Sequence, residues 1–107
     1  LLGEAYGRPP SEEEVDLYAA PLMRPGMEKA YIQFARSAGE IGFDLESLAM
    51  STLVIWGSED GWEEPELAAV LASQLGNASV KIIDGAGHLP METHTAATGD
   101  AIILWLQ

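Results

Sequence analysis

Residues 52–60 read Thr-Leu-Val-Ile-Trp-Gly-Ser-Glu-Asp, and this stretch decides how the second half of the chain folds. Its central part, residues 53–56, is apolar without polar alternation, which is typical of a parallel strand buried on both faces. Gly57 ends the apolar run, and the loop beyond it carries the carboxylate of Asp60. The stretch therefore predicts a buried strand with an acidic side chain just past its carboxyl end.

The residues that follow predict a helix, a second strand and a last helix. Pro65 stands near the start of the first of these helices. The second strand spans residues 80–84, where Lys81 indicates a position near a sheet edge. The intervening helix is long enough for a right-handed parallel crossover, so residues 51–107 predict a β-α-β-α unit of α/β class. The predicted apolar faces are Leu67, Ala68, Val70, Leu71 and Leu75 in the first helix, and Ile102, Ile103, Leu104 and Leu106 in the last, which runs from Thr95 to Leu106.

Residues 1–50 predict helices and no strand. Residues 1–10 contain several glycines and prolines and predict an irregular lead-in. Ser11 and Glu14 have the spacing of a capping box, which starts a helix of about ten residues. Pro21 and Pro25 are expected to bound the end of that helix.

A second helix is predicted to begin near Pro25, with an apolar face at helical spacing that starts at Met27. Gly39 is its expected C-terminal stop. Asp44 is expected to cap a short turn that runs through Leu48.

The overall composition restricts the class of protein. A chain of 107 residues forms one domain at most, and its apolar fraction of 48% allows a modest core. Lys and Arg number 5 against 17 Asp and Glu, and the resulting charge of -12 disfavours nucleic acid or an anionic membrane as a partner. Cysteine is absent, which excludes disulfide and thiolate chemistry. No segment reads as a secretory signal or reaches membrane length, so we expect a cytoplasmic protein.

The loop after the second predicted strand reads Gly-Ala-Gly-His at residues 85–88. The carboxyl ends of neighbouring parallel strands meet at one edge of a sheet, so Asp60 and His88 are expected within hydrogen-bonding distance. A carboxylate on one ring nitrogen fixes the tautomer of an imidazole and stabilises its charged form. Taken singly, Asp60 is also consistent with a helix-capping acid and His88 with a turn histidine. Their order and placement together favour a catalytic pair.

Residues 52–106 resemble the C-terminal part of an α/β-hydrolase-fold enzyme. The resemblance is carried by Thr-Leu-Val-Ile-Trp-Gly-Ser-Glu-Asp at 52–60 and Gly-Ala-Gly-His-Leu-Pro at 85–90. It implies a partial α/β-hydrolase fold in which Asp60 is the triad acid and His88 the triad histidine. Residues 8–48 are similar to the end of the helical cap of that family. The implied division is a cap-like segment at 1–50 and part of the hydrolase core at 51–107.

The nucleophile of that family is missing from this chain. No Gly-x-Ser-x-Gly elbow, nor its Asp version, follows a strand, and the usual His-Gly oxyanion segment is absent. Ser58 lies nearest to the chemistry, but it shares the acid's own loop and is a poor nucleophile candidate. Ser51 stands where many relatives have proline, and Glu92 comes one position before their usual acid.

Other interpretations concern the residues around the two loops. His88, Glu92 and His94 are acceptable zinc ligands, but an intervening proline disfavours a regular helix that presents all three on one face. An exposed surface position for His94 is the simpler interpretation, and we predict no metal and no cofactor. Trp56 is predicted to lie in the core, whereas Trp62 is consistent with a pocket wall or with rim packing.

Two functions from different classes stay open. The first is the C-terminal segment of a hydrolase that cleaves an ester, lactone, epoxide, carbon–halogen or carbon–carbon bond of a small molecule, with His88 as general base oriented by Asp60. The second is a non-catalytic binding or assembly module, which uses the helical face of residues 15–38 or the open strand edge. We expect the chain to be a fragment of a longer hydrolase, to be completed through that edge by another polypeptide or a copy of itself, or to act as such a module.

Overall fold

A computed structural model describes residues 1–37 and 44–107, which divide into two units. One unit comprises residues 1–9 and 44–107, and the other is the described part of residues 10–43. In chain order the elements are α1 (Leu2–Tyr6), α2 (Glu12–Leu22), α3 (Met27–Ser37), a 3-10 turn (Leu45–Ser47), β1 (Thr52–Gly57), α4 (Leu67–Gln74), β2 (Ala78–Ile83), α5 (Pro90–Thr93) and α6 (Thr95–Leu106). No helix in the described ranges has both the length and the hydropathy of a membrane crossing.

The smaller unit contains α2 and α3. The predicted capping box is confirmed, because Ser11 Oγ accepts from the Glu14 N–H at 3.2 Å and Glu14 Oε2 accepts from the Ser11 N–H at 2.7 Å. Pro21 does not bound α2 but lies inside its last turn, one residue before the helix ends, so its missing N–H and the clash of its ring disturb only that end. No described residue of α2 or α3 is buried. The expected stop at Gly39 lies outside the described residues.

The larger unit is built on a two-stranded parallel sheet. Strand β1 pairs with β2 in register, from Thr52 opposite Ala78 to Gly57 opposite Ile83, and α4 connects the two strands. The predicted α/β class and parallel β-α-β-α order are therefore confirmed. The 3-10 turn is capped as expected, because Asp44 Oδ1 accepts from the Ser47 N–H at 3.3 Å.

The N-terminal residues are not the irregular lead-in that the sequence predicts. Residues 2–6 form α1, which ends at Gly7 with a left-handed φ of 66°. Ala5 and Tyr6 belong to the core, with only 1% and 3% of their surfaces exposed. A helix of this length has too few positions to show an apolar period, so its burial rather than its sequence pattern stabilises it.

The predicted inner face of α4 is only partly right. Ala68 is fully buried, but Leu67 and Val70 are 39% and 51% exposed, because a sheet of two strands is too narrow to cover the whole face. The apolar positions of α6 are also open, with Leu104 at 74%. Thr98 of α6 is buried and donates its hydroxyl to the carbonyl of Pro90 at 3.1 Å, which ties α6 to α5.

Glycine is required where three backbone segments cross above the end of the sheet. A Cβ on Gly57 would overlap the main chain of Ala86 and Gly87. A Cβ on Gly87 would in turn lie 2.5 Å from the carbonyl oxygen of Ala5. The loop after β2 is therefore held between the end of β1 and the N-terminal helix.

Substitution of Gly57 by alanine is expected to destabilise the larger unit by about 1–3 kcal/mol, because the methyl group forces these backbone segments apart. The matched control is Gly99→Ala in α6, where a Cβ meets nothing within 4 Å. It is expected to stabilise the chain by about 0.5–1 kcal/mol through helix propensity. Thermal unfolding followed by tryptophan fluorescence measures both, since Trp56, Trp62 and Trp105 all lie in this unit. A Gly57→Ala variant that melts at or above the wild-type temperature contradicts the close approach.

Candidate functional site

The candidate site lies where the loops after β1 and β2 meet. Asp60 comes from the first loop and His88 from the second, and Asp60 Oδ2 lies 2.8 Å from His88 Nδ1. Parallel pairing places both carboxyl ends at the same edge of the sheet, which is why residues far apart in sequence come into contact. The contact that the sequence predicts is present, while the catalytic role of the two residues stays a prediction.

The Asp60 carboxylate is buried and fully engaged. Its side chain is 3% exposed, and Oδ1 accepts from the backbone N–H groups of Trp62 at 2.9 Å and Glu63 at 3.1 Å. Burial raises the pKa of Asp60, but the hydrogen bonds from Trp62, His88 and Glu63 outweigh it, and the pKa lies below the usual aspartate value. Asp60 is therefore ionised at neutral pH, with one oxygen used by its own loop and the other by the imidazole.

Asp60 fills both roles that the sequence leaves open, that of a capping acid and that of a partner for His88. Asp60 does cap local backbone, but the groups it caps belong to the turn at residues 60–63. Helix α4 begins later, at Leu67, and its N-cap residue Glu66 makes no side-chain capping bond. The second carboxylate oxygen is thereby left to hold His88.

The ring of His88 is held at one nitrogen and open at the other end. An ionised carboxylate only accepts, so the neutral imidazole carries its proton on Nδ1 and has an unprotonated Nε2 that can accept one. The His88 side chain is 33% exposed. The indole of Trp62 lies beside it, with ring centroids 4.8 Å apart and planes tilted by 47°. Trp62 is 44% exposed. Trp56, which the sequence predicts to lie in the core, is only half-buried and donates its indole N–H to the Glu63 carbonyl at 3.3 Å.

Backbone and hydroxyl bonds join the two loops. Ser58 Oγ accepts from the Gly85 N–H at 2.8 Å, and the Glu59 N–H donates to the Ala86 carbonyl at 2.8 Å. Gly85 takes the left-handed region, with a φ of 72°. The Ser58 hydroxyl thus helps to hold the turn before His88, which gives it a structural task in place of the nucleophilic one.

An apolar cleft of about 310 Å³ opens beside the pair. It is lined by Ile55, Trp56, Gly57, Asp60, His88, Pro90, Met91, Thr98 and Ile102. A cleft with mostly apolar walls and few polar groups is the usual form of a small-molecule site. In the smaller unit a shallower depression of about 670 Å³ runs along α2 among Glu12, Glu13 and Asp16, without an imidazole.

The structure does not bring His88, Glu92 and His94 together as metal ligands. Glu92 Oε2 accepts from the Tyr6 hydroxyl at 2.6 Å, and His94 Nδ1 lies 2.9 Å from Thr93 Oγ1. Within residues 1–37 and 44–107, no three His, Asp or Glu side chains are grouped for a metal ion. His94 is half-buried, not exposed as the sequence suggested.

Sequence reasoning missed the contribution of the N-terminal helix to the site. The His88 N–H donates to the carbonyl of Ala5 at 2.6 Å, and Tyr6 contacts Glu92 just beyond the histidine loop. Gly7 at the end of α1 is the one local signal, because glycine is the usual residue in a left-handed helix C-cap.

Comparison with known proteins gives a distant and partial similarity. No protein-family model matches the chain. Over 62 residues, or 58% of its length, the chain is 40% identical to polyketide synthase ThaQ of Burkholderia thailandensis. It spans 3% of the length of that synthase. The similarity assigns no catalytic role to any residue.

The hydrogen bonds of Asp60 make the stability of the larger unit pH-dependent. Because its pKa is lowered on folding, Asp60 stabilises the fold at pH values above its unfolded pKa of about 3.9. That contribution is lost as the pH falls through the folded pKa. Asp60→Asn is therefore expected to unfold at lower urea concentration than wild type at pH 7. This gap between the two urea midpoints is expected to shrink below about pH 4.

Urea unfolding at pH 7, 5, 4 and 3, followed by tryptophan fluorescence, measures the gap. The control is Asp100→Asn, which changes an exposed carboxylate on α6 and is expected to shift stability by less than about 0.5 kcal/mol. A gap between wild type and Asp60→Asn that is the same at every pH contradicts the lowered pKa.

Proposed function

We propose that the chain supplies the acid and the histidine of a hydrolase site, whose nucleophile comes from residues outside this chain. The observation that carries the proposal is the 2.8 Å contact between buried Asp60 and partly exposed His88 at the carboxyl ends of parallel strands. The motif order that resembles α/β hydrolases supports the same assignment. The partial similarity to a polyketide synthase is compatible with it and adds no role.

In the proposed reaction His88 is the general base and Asp60 is the residue that orients it. His88 Nε2 takes the proton of a hydroxyl or of water, whose oxygen attacks the electrophilic carbon of the substrate. Asp60 stays ionised and stabilises the imidazolium that forms at its Nδ1 side. The imidazolium then gives the proton to the leaving oxygen or carbon, or to water where a halide ion leaves. The bond cleaved is an ester, lactone, epoxide, carbon–halogen or carbon–carbon bond.

The described hydroxyl groups do not supply the nucleophile. Ser58 is engaged with Gly85, and Thr98, the hydroxyl residue that lines the cleft, donates to the carbonyl of Pro90. In the parts of the chain that the structure describes, no serine or threonine hydroxyl bonds to His88. Covalent catalysis therefore needs a nucleophile from another polypeptide or another part of a longer protein.

The second candidate, a binding or assembly module, is favoured by exposed apolar surface. Strand β1 pairs on one side only among the described elements, and in the smaller unit Tyr31 and Phe34 are 60% and 69% exposed. Open strand edges and apolar faces are common sites of pairing with another chain. The proposed partner is a complementing polypeptide or a second copy of this chain.

The two histidines of the chain provide a matched test of the general base. Without the external nucleophile, the 107-residue chain is expected to hydrolyse p-nitrophenyl acetate only slowly, with His88 activating a water molecule in its place. His88→Ala is expected to lose most of this rate, since a positioned base contributes about 10²–10⁴-fold, and His94→Ala to keep it. A wild-type rate no faster than that of His88→Ala, or equal losses in both variants, contradicts the proposed role.

Light scattering tests the assembly proposal. Charge repulsion from a net charge of -12 opposes self-association at low salt, and screening removes most of it at higher ionic strength. Self-association through the strand edge predicts a mass above 11.5 kDa that increases when NaCl is raised from 20 to about 500 mM. A constant mass of 11.5 kDa up to high protein concentration excludes the second copy and leaves a different polypeptide as the partner.

A further inference from the structure

The N-terminal helix packs directly against the loop that carries His88. The His88 N–H donates to the carbonyl of Ala5 at 2.6 Å, and Gly87 approaches Ala5 and Tyr6 too closely to carry a side chain. Both segments belong to the same unit, and Ala5 and Tyr6 are almost completely buried. The main chain of His88 is therefore held by the N-terminal helix as well as by its own strand.

A second link joins the same helix to the chain beyond His88. The Tyr6 hydroxyl donates to Glu92 Oε2 at 2.6 Å, the short distance expected when the acceptor is a carboxylate. Glu92 lies in α5, which begins two residues after His88. The guanidinium of Arg8 covers the Tyr6 ring at 4.9 Å from its centroid.

We propose that Tyr6 and Glu92 act as positioning residues for His88. Their bond, called the clamp below, ties the N-terminal helix to α5 and so holds the loop between β2 and α5 that carries His88. The proposal rests on the proposed function, since the clamp affects catalysis only if His88 is the base. The Asp60 bond fixes the ring at one atom, and the glycines on either side of Ala86 leave the loop little stiffness of its own. The clamp supplies that stiffness. Stiffness matters for catalysis, because a displacement of about 1 Å at a reacting group costs about 10²-fold in rate.

The test is nitrogen-15 NMR of histidine in the full 107-residue chain. The readouts are the His88 Nδ1–H resonance, whose proton is shared with Asp60, and the exchange of that proton with water. Tyr6→Phe is expected to speed this exchange by about tenfold or more, the factor expected for a lost hydrogen bond to a charged group. Tyr31→Phe is the matched control, because Tyr31 lies exposed on α3 in the other unit.

Variants of Glu92 separate positioning from a general loss of fold. Glu92→Ala is expected to speed the exchange of the Nδ1 proton at least as much as Tyr6→Phe, because it removes the acceptor of the Tyr6 hydroxyl. Glu92→Gln is expected to retain most of the protection, since the amide oxygen still accepts from the Tyr6 hydroxyl. Tryptophan fluorescence confirms that each variant is folded at the temperature of the NMR measurement. A merely structural role would lower the unfolding temperature without changing the exchange of the Nδ1 proton in the folded chain.

The failures of the two proposals give different spectra. In one outcome, Asp60→Asn loses the Nδ1–H signal, but the proton exchanges in Tyr6→Phe and Glu92→Ala at the wild-type rate. This outcome overturns the clamp and leaves the acid–histidine pair standing. In the other outcome, neither the wild-type chain nor Asp60→Asn shows a protected Nδ1–H signal. This outcome overturns the pair and the clamp together.

Discussion

The close approach of three backbone segments is the constraint on which the site depends. The end of β1 at Gly57 lies against the main chain of Ala86 and Gly87, and Gly87 lies against that of Ala5. A single methyl group at Gly57 or Gly87 would separate these segments. Parallel pairing brings the two loops to one edge of the sheet, and this close backbone packing lets them approach until Asp60 and His88 meet.

The electrostatics of the site are set locally, although the chain as a whole is strongly acidic. Burial makes a carboxylate costly unless donors compensate for the lost water, whatever the net charge of the chain. The donors of Asp60 are the N–H groups of its own turn and the ring of His88. Because two of the three come from residues adjacent in sequence, the carboxylate is preorganised by its loop. The imidazole then meets an acceptor that is already in place.

Local signals allowed much of the fold to be predicted from the sequence. The apolar run at 53–56, the capping box at Ser11 and Glu14 and the start of α6 at Thr95 each follow from neighbouring residues. Helix α1 was missed because its stability comes from burial of Ala5 and Tyr6 under the histidine loop. That burial depends on residues at the opposite end of the chain, which no local pattern records.

The same distinction holds for the site. The meeting of Asp60 and His88 could be predicted, because parallel topology alone brings the carboxyl ends of neighbouring strands together. The bond between Tyr6 and Glu92 could not, since it joins positions 86 apart in a way that no motif encodes. The side-chain task of Ser58 also required the structure, because its acceptor role depends on how the turn at Gly85 is placed.

The incomplete core and the missing nucleophile point to the same kind of completion under the proposed function. Helix α6 is apolar on several sides, with Ile103 and Leu104 58% and 74% exposed, whereas a helix of this character is normally covered all round. The apolar cleft beside His88 is lined in part by Ile55 of β1 and Ile102 of α6. A further layer of structure packed on these faces would cover that apolar surface and close the cleft. If that layer also brings a nucleophile to His88 Nε2, the same packing that completes the fold completes the triad.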